Sequence, residues 1–539
     1  VTQRKQPPEK PGRFNVFHLR GNQRTSGETS RKEGGKIFGS GSRAPIAISL
    51  LVKNPQASER GRIYFHDIGD YLSREEKLER ISGFGSVAGI DGWRLIEADG
   101  HGDWLKQRDD SFQRFIVLGD KKGDETKLFD NFSQGVLTAR DAWAYNASKA
   151  KLNSNMDGMI STYNAELSRF NSAHTGLAAK ARHERVDGFI NADATRISWS
   201  RALKQDIGKG RSYAFDPGSV VPSLYRPFTK QWLYFNRRFN EMVYQMPRIY
   251  PDAEAENRVI CLTGLGESSG FSALMADRLP NFHFIAGSQC FPLYLYGASG
   301  DEGNNEQQKT QTGLFDQAPT ATKQLRRNAI TDEGLHHFQL AYQDERISKE
   351  DVFYYVYGLL HSAGYREQFA DNLGKELPRI PRVKAAADFW AFNMAGRALA
   401  ELHLNYETVP AYAGAKIDSG GKPLADADHR VEKMRFGKSG KDKDRTTIHY
   451  NAKITVTGIP LEAYEYVVNG KPAIEWVMER QCVKTDKDSG IVNDANDWAI
   501  ETMGNPRYPL ELLLRVVTVS LETMKIVRSL PALDIREDG

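Results

Sequence analysis

The reading of this chain turns on residues 223–296, which run SLYRPFTKQWLYFNRR (Ser223–Arg238), MPRIYP (Met246–Pro251), NRVICLTGLGESSGF (Asn257–Phe271) and HFIAGSQCFPLYLY (His283–Tyr296). Aromatic and β-branched residues alternate there with arginines and turn residues, the pattern of short strands carrying basic and aromatic side chains. Arg226, Lys230, Arg237, Arg238 and Arg248 are interleaved with Tyr225, Phe228, Trp232, Tyr234, Phe235 and Tyr244. Arginine can contact phosphates or pair bidentately with guanine, and aromatic rings can stack or wedge against bases. Two readings stay open on these residues: a DNA-reading surface, or a sheet whose aromatics are core and whose arginines are solvated.

The glycines of LTGLGESSG (Gly264, Gly266, Gly270) follow an apolar run and offer a superficial dinucleotide fingerprint. That chemistry needs a helix after the glycines, here SALMADRL, and an acidic residue ending the next strand. The following segment, FHFIAGSQCFPLYLY, has no such acid, so a strand-connecting turn is expected. FDPGS (Phe215–Ser219) faintly resembles a methyl-donor loop but lacks a glycine pair, and is read as a turn. The sequence contains no GxxxxGK[ST] phosphate loop and no Asn-Pro-Pro-Tyr or Asp-Pro-Pro-Tyr tetrad. Its histidines, among them His283, His361 and the adjacent His336 and His337, have no nucleophile or metal partner at a recognisable spacing. No complete active site is legible.

Outside that stretch, FNVFHL (Phe14–Leu19) and PIAISLLV (Pro45–Val52) read as strands, and IYFHDIGDY leads into a charged helix, SREEKLERI. Between the first two strands lies RGNQRTSGETSRKEGGKIFGSGSR, too long for a hairpin turn: either a solvated linker or a functional loop. Met156, Ile160, Tyr163, Leu167 and Phe170 have the spacing of an amphipathic packing helix. Residues 300–328 are low in apolar side chains and are expected to form a disordered insertion. A helical block begins at ISKEDVFYYVYGLL, where Ser348 and Asp351 form a relative of the capping box. A second helix covers AADFWAFNMAGRALAELHLNY. The stretch from Ala415 to Arg445 reads as loop and holds a Lys/Arg cluster, KSGKDKDR. Strands ITVTGI and YEYVVNG follow, and a last helix runs from about Pro509 to Val527.

With 539 residues the chain has room for roughly two to four domains. Its charged fraction of 26% and hydrophobic fraction of 40% are those of an ordinary globular protein. A net charge of +4 permits nucleic-acid binding without arguing for it. There is no apolar run of about 18 residues to span a membrane, and VTQRKQPPEKPGR lacks the apolar region of a secretory signal. Cys261, Cys290 and Cys482 are isolated, which argues against a zinc site or a disulfide framework. A cytoplasmic location is expected.

SLYRPFTKQWLYFNRR, MPRIYP, GFSALMADRLPNFHF and SQCFPLYLY resemble the C-terminal specificity region of type ISP restriction–modification enzymes. ISKEDVFYYVYGLLHSAGYREQFADNLGKELPRIP, YEYVVNGKPAIEWVMERQ and SGIVNDANDW extend the likeness over most of the chain. FNVFHLRGNQRTSGETSRKEGGKIFGSGSRAPIAISLLVKNP resembles the end of the adenine N6-methyltransferase domain of those enzymes. Such enzymes join nuclease, helicase-like ATPase, coupler, methyltransferase and target recognition domain in one polypeptide. The resemblance implies an α/β remnant of a methyltransferase sheet over residues 1–134, then a mixed α+β target recognition domain over 135–539. It implies double-stranded DNA as partner, with a further polypeptide able to supply the methyl-donor half, ATPase and nuclease. S-adenosylmethionine, ATP and Mg are implied only for those other parts. Since adenine methyltransferases flip their target base onto an aromatic residue, Phe38 becomes the stacking candidate. Arg20, Arg24, Arg31, Lys32 and Arg43 become candidate phosphate or base contacts. Three functions follow as alternatives: duplex recognition for a restriction–modification system, half of a split methyltransferase, or a truncated relic.

Overall fold

The computed structural model describes residues 13–25, 27–39, 41–54, 56, 61–121, 123–297, 325–440 and 442–537. Its architecture is mixed α/β, with several small sheets and intervening helices. The first sheet is built from β1 (Arg13–Arg20), β2 (Ile46–Val52), β3 (Arg62–Asp67) and β4 (Arg94–Ile96), in the order β2-β1-β3-β4. β1 lies parallel to β3 and antiparallel to β2. Because side chains alternate along a strand, Phe17 and Leu19 face one small core with Ile37, Ile68 and Ile90, while Val16 faces another with Phe65 and Ile96. Between β1 and β2 lies the short helix α1 (Gly27–Glu33), and α2 (Arg74–Phe84) follows β3 behind a full Ser73/Glu76 capping box. The edge strand β2 is apolar and exposed, with Ile48, Leu50, Leu51 and Val52 all 43–56% accessible.

The larger body has one continuous core, running from Phe112 to Val519. Within it, β5 (Ile116–Val117) pairs with a strand at residues 379–380, and β6 (Ser133–Gln134) closes a second sheet. That sheet has the order β11-β10-β12-β6, with β10 (Val259–Leu262), β11 (Ala273–Ala276) and β12 (Gln289–Pro292) antiparallel. A third sheet joins β7 (Tyr145–Asn146), β8 (Val220–Arg226) and β9 (Thr229–Tyr234) in the order β7-β9-β8. Phe112, Phe115, Phe129 and Phe132, on the N-terminal side of the division expected at residue 134, belong to this core.

Helices α3 (Asp141–Ala144), α4 (Lys149–Ala173), α5 (Ala179–Phe189) and α6 (Arg201–Gly208) follow β6 in the chain. Met156, Ile160, Tyr163, Leu167 and Phe170 are buried on α4, as their spacing predicts, in a separate core shared with Val186, Leu203 and Ile207. The helices Lys349–Leu359 and Ala386–Leu404 cross at Gly358 and Gly396. A Cβ on either would lie about 2 Å from a carbonyl oxygen of the other helix, so the close crossing requires glycine at both points. The capping box of Ser348 and Asp351 is present.

Two expectations change. The insertion foreseen over 300–328 lies mostly outside the described residues, but its end, β14 (Arg326–Asn328), is ordered against β13 (Tyr294–Tyr296). Ala415–Arg445 is only partly loop. After β15 (Arg379–Ile380), strands β16 (Lys416–Asp418), β17 (Arg435–Ser439), β18 (Asp442–His449) and β19 (Thr455–Thr457) form a sheet in the order β16-β19-β18-β17. Its strands are short and largely polar, so no apolar alternation announces them.

The two bodies meet through a buried carboxylate. Asp103, 1% exposed, accepts hydrogen bonds from Arg108 (3.0 Å) and Lys375 (2.8 Å). Burial raises its pKa, but these two cations outweigh that and hold the carboxyl below its ordinary range.

Candidate nucleic-acid interface

Residues 33–37, in the loop between β1 and β2, are clamped against α2. Lys77 of α2 is fully buried, and its ammonium donates to the Glu33 and Gly35 carbonyls at 2.7 and 2.8 Å. Burial lowers its pKa. The Arg74 guanidinium donates to the Ile37 carbonyl at 2.9 Å. Gly34 (φ +66°) and Gly35 press against residues 72–74, where a Cβ would come within 2.1 and 2.3 Å of backbone atoms. Phe38 follows directly and stands 57% exposed. A lone lysine in a charged helix gives no local sign of the burial that Lys77 has.

The basic residues around Phe38 divide. Arg20, in the left-handed region at φ +56°, donates to Asp67 (2.7 Å) and to Asp70. Burial opposes the charge on Asp67, yet Arg20 and the Gly69 amide keep that carboxyl below its usual pKa. Arg43 is exposed and donates to the Gln23 carbonyl at 2.8 Å. Arg24 is exposed, and Arg31 and Lys32 are exposed in the last turn of α1.

In the β8–β9 hairpin the aromatic residues turn inward. Phe228, Tyr234 and Phe235 are at most 1% exposed and belong to the protein interior. Of the two readings open on these residues, their burial is that of a sheet whose aromatics are core. Lys230 is likewise internal. Its side chain is 9% exposed and pairs at 2.5 Å with Glu407, which also accepts from the Tyr508 hydroxyl at 2.6 Å. Arg226 donates to Asp141 (3.1 Å) and Asn281 (2.9 Å) and covers the Tyr225 ring. Arg238 lies 3.7 Å from Asp206. Arg237 is exposed and Arg248 half-buried. The structure thus gives Lys230 and Arg226 internal partners and leaves Arg237 and Arg248 nearer to solvent.

LTGLGESSG is the connection of the β10–β11 hairpin, with Gly266 and Gly270 at φ +77° and +79°. SALMADRL enters strand β11, whereas a pyrophosphate cradle requires a helix there. FDPGS is a single 3-10 turn capped by Asp216. A separate open cavity of about 650 Å³ lies between α5 and α6, lined by His183, Trp199, Arg201, Lys204 and Lys209, with Lys204 paired to Asp187 at 2.7 Å. Among the described residues no helix is long and apolar enough to cross a membrane.

This chain belongs to the type ISP C-terminal specificity domain family, whose model matches residues 127–512. It is also similar to solved structures of longer chains. One is a nuclease-deletion mutant of the type ISP restriction-modification enzyme LlaGI, in complex with a DNA substrate mimic. The two are 38% identical with a TM-score of 0.81, over 98% of this chain and 37% of that one. A second is the ATP-dependent type ISP enzyme LlaBIII bound to DNA: 34% identical, TM-score 0.82, over 98% of this chain and 31% of that one. A third is a DrdV–DNA complex: 30% identical, TM-score 0.77, over 97% and 48%. This chain therefore spans less than half the length of each. No curated protein matches it.

Proposed function

We propose that this chain recognises a specific duplex DNA sequence for a type ISP restriction–modification system, directing adenine N6-methylation and restriction performed by other parts of the enzyme. The observation that carries this reading is the specificity-domain match over residues 127–512, joined by likeness along 97–98% of the chain to structures solved with DNA or a DNA mimic. Exposed cations would contact phosphates and fix register, while other side chains read base edges. Selection from a random duplex pool should enrich one asymmetric sequence, bound more weakly as salt rises. A folded sample that binds no duplex at low salt would sink the reading.

In this proposal β1–β4 are the end of an adenine methyltransferase sheet. The support is the exposed apolar edge strand β2, of the kind that ordinarily pairs or is covered. Phe38 would stack on the flipped adenine, supported by its exposure and by the Lys77 clamp behind it. Phe38→Ala should leave stability within about 0.5 kcal/mol while abolishing the fluorescence rise of 2-aminopurine placed at the target adenine. In this reading S-adenosylmethionine, ATP and Mg act on other polypeptide; the turn from Gly264 to Gly270 runs into a strand, not a helix. The split-methyltransferase alternative rests on the same edge strand. Mixing with a chain carrying the donor half should then produce N6-methyladenine, and no methyl transfer in the mixture would remove it.

A further inference from the structure

The basic run KSGKDKDR supplies the outer residues of two paired strands. β17 and β18 pair antiparallel, with Arg435 opposite His449 and Lys438 directly opposite Lys443. The root of the ribbon is fixed: Ile448 and Val456 are fully buried, and the Tyr464 hydroxyl donates to the Arg445 carbonyl at 2.8 Å. A bulge between Phe436 and Gly437 gives the arm an added twist. Beyond it, Lys438, Ser439, Gly440, Asp442 and Lys443 are all exposed. Lys441, between them, lies outside the described residues.

The charges of this arm are poorly balanced within the fold. Among the described residues, no carboxylate lies within ion-pair distance of Arg435, Lys438 or Lys443; Lys443 rests only over the Phe436 ring, 5.7 Å away. Arg445 approaches Glu475 at 3.8 Å. Asp444 is turned to its own strand, accepting from the Thr446 amide (2.9 Å) and hydroxyl (2.6 Å). Asp442 alone stands exposed beside the lysines. Like charges directly opposed across two strands are destabilising. A polyanion seated against such an exposed, twisted arm would relieve that repulsion. Two paired strands, about 5 Å apart, fit the roughly 12 Å major groove of B-DNA.

We propose that the β17–β18 ribbon enters the major groove of duplex DNA and that Lys438 and Lys443 contact the phosphates of its two walls. This rests on the reading of the chain as a duplex-recognition domain. The test is the salt dependence of binding by the full 539-residue chain to a fluorescein-labelled random-sequence duplex. K438A/K443A should lower the magnitude of the log K against log salt slope by about 2. Lys443→Glu, which places opposite charges across the ribbon, should weaken binding while holding or raising the unfolding temperature. A duplex whose major groove is filled by glucosylated hydroxymethylcytosine should erase the difference between wild type and K438A/K443A. Wild-type slope and affinity in the double variant, with the unsubstituted chain binding normally, would overturn the ribbon proposal alone. Failure of the unsubstituted chain to bind would overturn the recognition function itself, and the ribbon with it.

Discussion

In the β8–β9 hairpin, Lys230 reaches inward to Glu407 and Phe228 and Tyr234 fill the core. In the β17–β18 hairpin, Lys438 and Lys443 lie opposite each other in solvent, with the Lys443 ammonium 5.7 Å from the Phe436 ring. Both ribbons alternate cations with aromatic or polar residues, so composition does not separate them. What separates them is the supply of carboxylates and apolar surface brought by distant parts of the chain. Glu407 lies 177 residues beyond Lys230 in sequence. A basic–aromatic strand is therefore a binding surface only where the rest of the fold leaves it unmatched.

The difference can be attacked from its structural side first. Phe228→Ala removes a ring packed edge-on against Tyr406 and Tyr466, and should cost about 3–5 kcal/mol in denaturant unfolding. Phe436→Ala should cost far less. Glu407→Ala leaves the Lys230 ammonium buried without its partner and should destabilise by about 3 kcal/mol. DNA affinity per folded molecule should stay unchanged. A gain in affinity per folded molecule would mean that the freed Lys230 reaches DNA after all.

Acid should act on the same core. Burial, and then the nearby Arg366 charge, depress His403 to about 3 and His361 well below its ordinary value. Both are neutral in the fold and protonate readily once unfolded. Their contribution is complete above pH 6.5 and falls as pH drops, for His403 down to about pH 3. The expected loss is about 1.4 kcal/mol per pH unit for each histidine. Unfolding curves should soften below pH 6.5, and His403→Gln should flatten that dependence. The smallest effect concerns the cations left outside: Arg237→Ala and Arg248→Ala should each reduce the salt slope by about 1 with unfolding unchanged.

Much of the scaffold was legible because it repeats at short range. The apolar faces of α4 and of the helix Tyr508–Ser529, the alternation of β1 and the serine cap of the helix at Lys349 are all local signals. The family likeness was legible for the same reason, as long ordered runs of residues. The candidate interface was read less well. The burial of Lys230 depends on Glu407 and Tyr508, and the firmness of the Phe38 loop on Lys77, pairings that no local pattern announces. The β17–β18 ribbon was read as loop because its outer strand segments are charged rather than alternating. Its Ser439–Gly440 step was the available turn signal.

One consequence concerns the order in which the protein is made. Phe112 and Val519 share a core, Asn146 hydrogen-bonds to the Val492 carbonyl, and Lys384 donates its amide to Asp534. That interior cannot close until nearly its last helix has left the ribosome. At about 5–20 residues per second, the aromatic residues near Phe112 wait on the order of half a minute without their final neighbours. The strand pairs of β1–β4 all close within residues 13–96 and do not wait on that helix. Chaperone dependence, and losses to aggregation during overproduction, should therefore arise in the specificity body and be relieved by slower translation.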